Sequence, residues 1–201
     1  MKTTVSRHTH TDTKALILKE ANALLLTRSY LGLSFQELAD RVGIRKASLY
    51  HHFDSKETLG IALIDEAQTK FARWSQRLQG QSVAQKMQAY ILMFRNAIGA
   101  GERVCPIGAT GGEWDCLEPA LQGRVRHFHQ FQLDWLTQAV APWQAPSSAQ
   151  DSDAQQLLAQ QRATQINAML QGALLSARVH ADVAVFDTAV APLQLALEQL
   201  H

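Results

Sequence analysis

Residues 34–59 read SFQELADRVGIRKASLYHHFDSKETL. The spacing predicts two short helices on either side of Gly43, one opening at Ser34 and closing at about Val42, the other running from Lys46 to Phe53. Ser34 with Glu37, and again Asp54 with Glu57, have the separation of a capping box, in which each side chain accepts from the other residue's backbone N–H. The first helix would bury Leu38, Ala39 and Val42. Ile44, Leu49 and Phe53 would bury the second, leaving Lys46, Ala47, Ser48, Tyr50, His51 and His52 on its remaining faces. A pair braced in this way can lay its second helix in a DNA major groove. Lys and His donate to phosphates, Tyr offers a hydroxyl and a flat ring, and Ala and Ser allow close approach to base edges. A helical pair with a basic face also occurs in plain helical proteins, so spacing alone leaves both readings open.

Outward from this stretch the three- and four-residue periodicity is nearly continuous and strand signals are scarce. Ile17, Leu18, Ala21, Leu24 and Leu25 mark a helix ending near Ser29, with Asp12 or Thr13 as its cap. Beyond Ser55 the positions Leu59, Leu63, Ala67, Phe71, Trp74 and Leu78 predict a helix of about 24 residues, ~36 Å long. A further helix spans Val83 to Ile98, followed by a Gly/Pro-rich break from Cys105 to Gly112. Another lies between Pro119 and Pro142, and QAPSSAQDSD (144–153) has the composition of a loop. Two helices close the chain, about Ala154 to Val179 and Val183 to Leu200, the second carrying Pro192 as an expected kink. The class is all-α with about nine helices, divided as a helix-turn-helix unit over residues 1–56 and a helical body over 57–201.

The chain has 201 residues, 46% of them hydrophobic but only 7% aromatic and 18% charged, which excludes a disordered, collagenous or polybasic protein. Its formal charge of +1 conceals an asymmetry: through Gly60 there are nine basic against six acidic residues, a net of +3, and the remainder carries −2. Two cysteines are too few for a disulfide framework. The opening MKTTVSRHTHTDTK lacks the apolar core of a signal peptide, and no uncharged apolar run approaches ~18 residues, so the expectation is a cytoplasmic protein without a membrane span.

The series Gly43, Ile44, Lys46, Ala47, Ser48, Leu49, Tyr50, His51, His52, Phe53, then Ser55, Lys56, Glu57 and Leu59, resembles the signature of the tetracycline-repressor (TetR) family of bacterial transcriptional regulators. Ile17, Ala21, Tyr30, Ser34 and Ala39 extend the resemblance over residues 12–65. The body is similar through helix order and through Gly172 to Arg178 (GALLSAR). The resemblance implies an all-helical homodimer: a three-helix DNA-binding domain, and a C-terminal domain that holds a small effector and the dimer contact. Its implied partners are a double-stranded, palindromic operator and a small molecule or electrophile that releases it, the arrangement of a repressor. Carried over by position, Ser34 would contact phosphate, Lys46, Ala47, Ser48, Tyr50 and His51 would face the groove, and Lys56 would clamp phosphate; His52 is a further DNA-contact candidate. Two positions depart from the pattern. Arg45 stands where a capping Ser or Thr is usual, adding an Arg able to read guanine, and Ser29 stands where Gly often ends the first helix.

In the body, Trp74, Tyr90, Phe94, Trp114, Phe128 and Trp135, with Met93 and Phe131, could line an apolar effector pocket, although aromatic residues at helical spacing also make ordinary core. Cys105, before Pro106, is a candidate reactive thiol whose thiolate Arg103 could favour. Cys116 is a conceivable disulfide partner. Leu158, Ile166, Met169, Gly172 and Ala173 form a stripe suited to a four-helix dimer interface, or to burial within the subunit. No nucleophile elbow, phosphate-cradling loop or metal-ligand spacing is present, so no catalytic residue, metal or cofactor is expected. A small-molecule sensor in which DNA binding is secondary is the alternative.

Overall fold

The structure, a computed structural model, describes residues 10–143 and 152–200. Most of the expected 144–153 loop, and the opening residues 1–9, lie outside them. The described residues form nine α-helices and one short 3-10 turn, with no strand among them. None of these helices is long and apolar enough to cross a membrane.

Three helices make the N-terminal head: α1 (His10–Arg28), α2 (Phe35–Val42) and α3 (Lys46–Tyr50). Helix α1 already runs through Asp12 and Thr13, so neither is its cap. Ile17, Ala21, Leu24 and Leu25 of α1 are buried with Leu38, Ala39, Leu49 and Phe53, as the sequence pattern requires. Gly43 turns the chain between α2 and α3 at φ +74°, a left-handed conformation that costs an L side chain ~1–2 kcal/mol. Ser29 adopts the same left-handed form at φ +62° without being glycine.

Helix α4 (Lys56–Gln76) ties the head to the body. Its N-cap is Ser55, whose hydroxyl accepts from Thr58 N–H while Thr58 accepts in return. The expected Asp54–Glu57 box is thus displaced by one residue, because Asp54 instead accepts from the Thr58 hydroxyl at 2.7 Å. Gly60, inside α4, lets Tyr30 and Leu121 press on its backbone: a Cβ there would lie 2.9 Å from one Leu121 methyl and 3.0 Å from the Tyr30 ring.

The body comprises α5 (Val83–Ile98), α6 (Pro106–Gly111), α7 (Pro119–Val140), α8 (Ser152–His180) and α9 (Val183–Glu198), with the 3-10 turn Trp114–Cys116 between α6 and α7. The stretch expected as an irregular break therefore contains α6, started by Pro106 at its first turn, where a missing N–H costs nothing. Helix α4 packs on α7, and α8 on α7 and α9. At the centre, Phe71 of α4 meets Tyr90, Phe128, Phe131 and Trp135 edge-on, with ring centroids 5.5–6.4 Å apart. Edge-to-face geometry places the positive ring rim against a neighbour's negative face, which adds to simple burial.

Candidate nucleic-acid face and effector cavity

Helices α2 and α3 present one outward face. Arg45, Lys46, Ala47, Tyr50 and His51 are exposed on it, and Ser48 is half-buried. Tyr50 is held there by Phe35, whose ring centroid lies 5.1 Å away. Arg45 stands at the N-cap of α3 without a side-chain cap bond, as its departure from the expected Ser or Thr implied. Ser34 is exposed in extended conformation at the N-cap of α2, and its hydroxyl caps nothing. The expected Ser34–Glu37 box does not form because the Glu37 carboxylate is engaged elsewhere, by Arg28 at 2.5 Å and Arg41 at 3.0 Å. The first N–H groups of α2 are thereby left for an anion.

Two expected DNA-contact residues lie off this face. His52 is half-buried at its edge. Lys56 points into the junction between head and body: its ammonium donates to Leu31 O at 3.1 Å and sits 4.6 Å from the Tyr30 ring centroid. Burial lowers its pKa, and the nearby Glu113 and Glu118 oppose that shift. In this structure Lys56 ties the junction. The same acids grip the α1–α2 turn directly. Tyr30 OH donates to Glu118 at 2.8 Å, and Leu31 N–H to Glu113 at 2.8 Å. Burial first, then the Glu118 contact, pushes the Tyr30 phenol far up. From the other side Ala120 N–H donates to Glu57 at 3.2 Å. No motif in the sequence pointed to this network, because its partners come from segments some sixty to ninety residues apart.

The body holds a cavity of about 340 Å³ between α4, α5, α6 and α7. Phe71 and Trp74 of α4, Met93 and Phe94 of α5, Cys105 and Pro106, and Phe128 and Gln132 of α7 form its walls, with Lys70 and Arg77 among its lining groups. Of the pocket candidates read from the sequence, Trp74, Phe94, Cys105 and Phe128 line this cavity. Tyr90, Trp114 and Trp135 do not line it. Tyr90 is fully buried behind the wall, its hydroxyl donating to Asn167 Oδ1 at 3.1 Å. Trp135 meets Trp74 at a tilt, ring centroids 5.2 Å apart, and faces a separate cleft, and Trp114 lies under the Arg126 guanidinium on the 3-10 turn. Helical spacing marks Tyr90 and Trp135 as apolar-facing but does not say which side of the wall they occupy, and Trp114 lies outside the expected helices. Phe71 and Gln132 were missed. Phe71 enters the sequence reading only through the periodicity of the helix after Ser55, and Gln132, one turn after Phe128, is a polar residue on an apolar stripe, the signal that could have found it.

The Cys105 thiol donates to Gln171 Oε1 at 3.1 Å and accepts from Gly108 N–H at 3.2 Å. Burial raises its pKa, and those hydrogen bonds offset the shift only in part. Arg103, expected to favour the thiolate, packs its guanidinium against Gly99 and is not among the groups that act on the thiol. Both cysteines are free, with Cys116 exposed. Deeper in, Asn167 Nδ2 lies 3.1 Å from His129 Nε2. An amide N–H can only donate, so that ring nitrogen accepts and His129 is neutral, in keeping with the lowering of its pKa by burial. Among the described residues no group of three or more His, Cys, Asp or Glu could hold a metal ion.

On α8 and α9 the expected dimer stripe divides. Ile166 and Ala173 are buried within the subunit and so present nothing to a second chain; Leu158 and Met169 are half-buried, and Gly172 is exposed. The large outward apolar residues are Leu157, Leu175 and Val179 of α8 and Leu195 of α9, at 55, 58, 74 and 61% exposure. These residues neighbour the stripe on the helical wheel, and Ile166 and Ala173 follow the second reading that the stripe allowed, burial within the subunit.

Residues 17–63 match the family described as bacterial regulatory proteins, tetR family. The HTH-type transcriptional repressor NemR of Escherichia coli (strain K12) is 34% identical over 74 residues, which cover 37% of this chain and 36% of that protein. The match thus spans about a third of the length of that curated relative. A TetR-family transcriptional regulator from Agrobacterium tumefaciens has the same fold with a TM-score of 0.80 at 25% identity, over 92% of this chain and 97% of that one. A TetR transcriptional regulator from Legionella pneumophila superimposes with a TM-score of 0.77 at 22% identity, over 98% and 99% of the two chains.

Proposed function

We propose that this chain is a member of the tetR family of bacterial regulatory proteins, to whose model residues 17–63 match, and that it is a non-enzymatic, effector-responsive repressor that binds a palindromic operator as a homodimer in the cytoplasm. Residues 1–56 form the DNA-binding domain and residues 57–201 the effector and dimer domain. The observation that carries the reading is the outward face of α2 and α3, where Lys46, Ala47 and Tyr50 are exposed on a helix braced from behind by Leu38, Ala39 and Leu49. Arg45, Ser48 and His51 flank the base-reading positions. Ser34 and the open N-terminus of α2 take a phosphate.

Dimerisation through Leu157, Gly172, Leu175, Val179 and Leu195 would bury the exposed apolar face of α8 and α9 against its own copy. Two heads set ~34–36 Å apart then reach successive major grooves. The effector enters the cavity between α4 and α7. Its presence changes the angle at which α7 offers Glu118, and the neighbouring turn Glu113, to Tyr30, Leu31 and Lys56, and so changes the head separation. A noncovalent effector is better supported than an electrophile, because burial keeps the Cys105 thiol protonated and a thiol is a far weaker nucleophile than a thiolate.

Gel retardation of the chain's own upstream region tests the reading. Tyr50→Ala and Lys46→Ala should each weaken binding by ~1–3 kcal/mol, roughly 5- to 150-fold, with the fold unchanged, and wild-type affinity should fall steeply with salt. Equal retardation by all three proteins rejects the assignment of this face.

A further inference from the structure

We infer that the effector is an uncharged, ring-bearing molecule with one neutral hydrogen-bonding group, which it presents to the carboxamide of Gln132. The inference rests on the effector-controlled reading above and narrows its ligand.

Phe71, Trp74, Phe94 and Phe128 supply ring faces and edges around the cavity. Into this apolar wall α7 brings Gln132, which is only 6% exposed and whose Oε1 is buried with no hydrogen-bond partner. An amide oxygen removed from water and left unpaired is a standing cost, and a polar ligand atom in the cavity removes it. The carboxamide can turn about its last bond to offer either its carbonyl or its NH2 group, so a hydroxyl, an N–H or a carbonyl on the ligand meets the same need.

Charge is selected against in both signs. No carboxylate lines the cavity, Glu66 beside it is already paired with Lys70, and Arg77 is cationic, so a desolvated ligand cation would find no counter-ion. A ligand anion would gain little. Lys70 is already paired with Glu66 at 2.7 Å, Arg77 is exposed to solvent, and the Cys105 thiol deeper in is neutral. An exposed pair with Arg77 would return a small part of what desolvating a carboxylate costs. A neutral polar group escapes that penalty and still satisfies Gln132.

Tryptophan fluorescence, with Trp74 on the cavity wall, reads binding of four probes to the full chain: naphthalene, 2-naphthol, 2-naphthoate and protonated 2-naphthylmethylamine. Wild type should bind 2-naphthol roughly tenfold more tightly than naphthalene, and both ions more weakly than 2-naphthol. Gln132→Leu should bind naphthalene and 2-naphthol alike, and Gln132→Met, which keeps the length and flexibility of Gln, should repeat that loss if the Leu variant folds poorly. Equal affinity of wild type for naphthalene and 2-naphthol, tighter binding of either ion, a 2-naphthol preference that persists in both variants, or no binding of any probe overturns the inference. Gel retardation on the same samples separates it from the reading beneath it. If 2-naphthol binds with the expected preference while the operator stays bound, the ligand class stands and effector-driven release falls.

Discussion

The head displays its chemistry and the body encloses its own. Lys46, Ala47 and Tyr50 lie on one short helix, facing water, and need only α1 and α2 behind them to be held in place. The cavity has no such local origin. Its walls come from Ala67 through Gln132, and each wall residue depends on how four helices are rotated about their axes. The contrast teaches that a contiguous exposed site is a property of a segment, whereas an enclosed site is a property of a packing arrangement. Phe71→Ala puts the largest strain on that distinction. Phe71 is buried at the hub of four edge-to-face contacts and also forms cavity wall, so its truncation should cost ~3–5 kcal/mol of stability in denaturant unfolding and abolish probe binding. At temperatures where the variant remains folded, operator affinity should survive. A loss well under 1 kcal/mol, or a parallel loss of DNA binding, would erase the separation drawn between head and body.

The junction is where the contrast should fail, because the proposed control of the head by the cavity needs the two halves joined. Glu118→Gln keeps an oxygen that can accept from Tyr30 but removes the charge that strengthens that bond and faces Lys56. A loss of about 1 kcal/mol in stability is expected, since hydrogen bonds to charged groups exceed neutral ones by roughly that amount. The more telling readout is the ratio of operator affinities with and without effector, which should shrink while cavity affinity for the effector is unchanged. An unaltered ratio would show that Glu118 merely props the Tyr30 turn.

The same difference explains what could be read from the sequence. The helix pair, Gly43 and the outward residues of α3 were legible because each depends on neighbours within about two turns. The caps were less so: Glu37 had the right spacing from Ser34, but Arg28 of another helix takes its carboxylate. Tyr90 and Trp135, candidates for the cavity wall, stand behind it and beside it, and of the two readings that the α8 stripe allowed, Ile166 and Ala173 take burial within the subunit. A periodicity of 3.6 identifies a stripe, but a helix such as α8, packed on α5, α7 and α9, has apolar residues on more than one side. The Glu113, Glu118 and Lys56 network left no trace, because charged residues far apart in sequence give no sign of meeting.

The smallest expected effect sharpens the comparison from the head side. Ser29 ends α1 in the left-handed region at φ +62°, where its Cβ crowds the backbone and glycine would not. Relief of that strain is worth ~1–2 kcal/mol, but glycine also enlarges the freedom of the unfolded chain, so Ser29→Gly should gain only about 0.5–1 kcal/mol in denaturant unfolding. Because the strain is local, the gain should appear with no change in cavity affinity. The turn it closes leads straight into Tyr30 and Leu31, which Glu118 and Glu113 hold, so the backbone there is already fixed from outside. That external hold is what lets a non-glycine residue remain left-handed. Combining Ser29→Gly with Glu118→Gln should therefore give more than the single effects predict in sum: once the clasp is weakened, the strained serine is free to unwind the end of α1 and the glycine is not. Strict additivity of the two would mean that the turn holds its shape without help from the body.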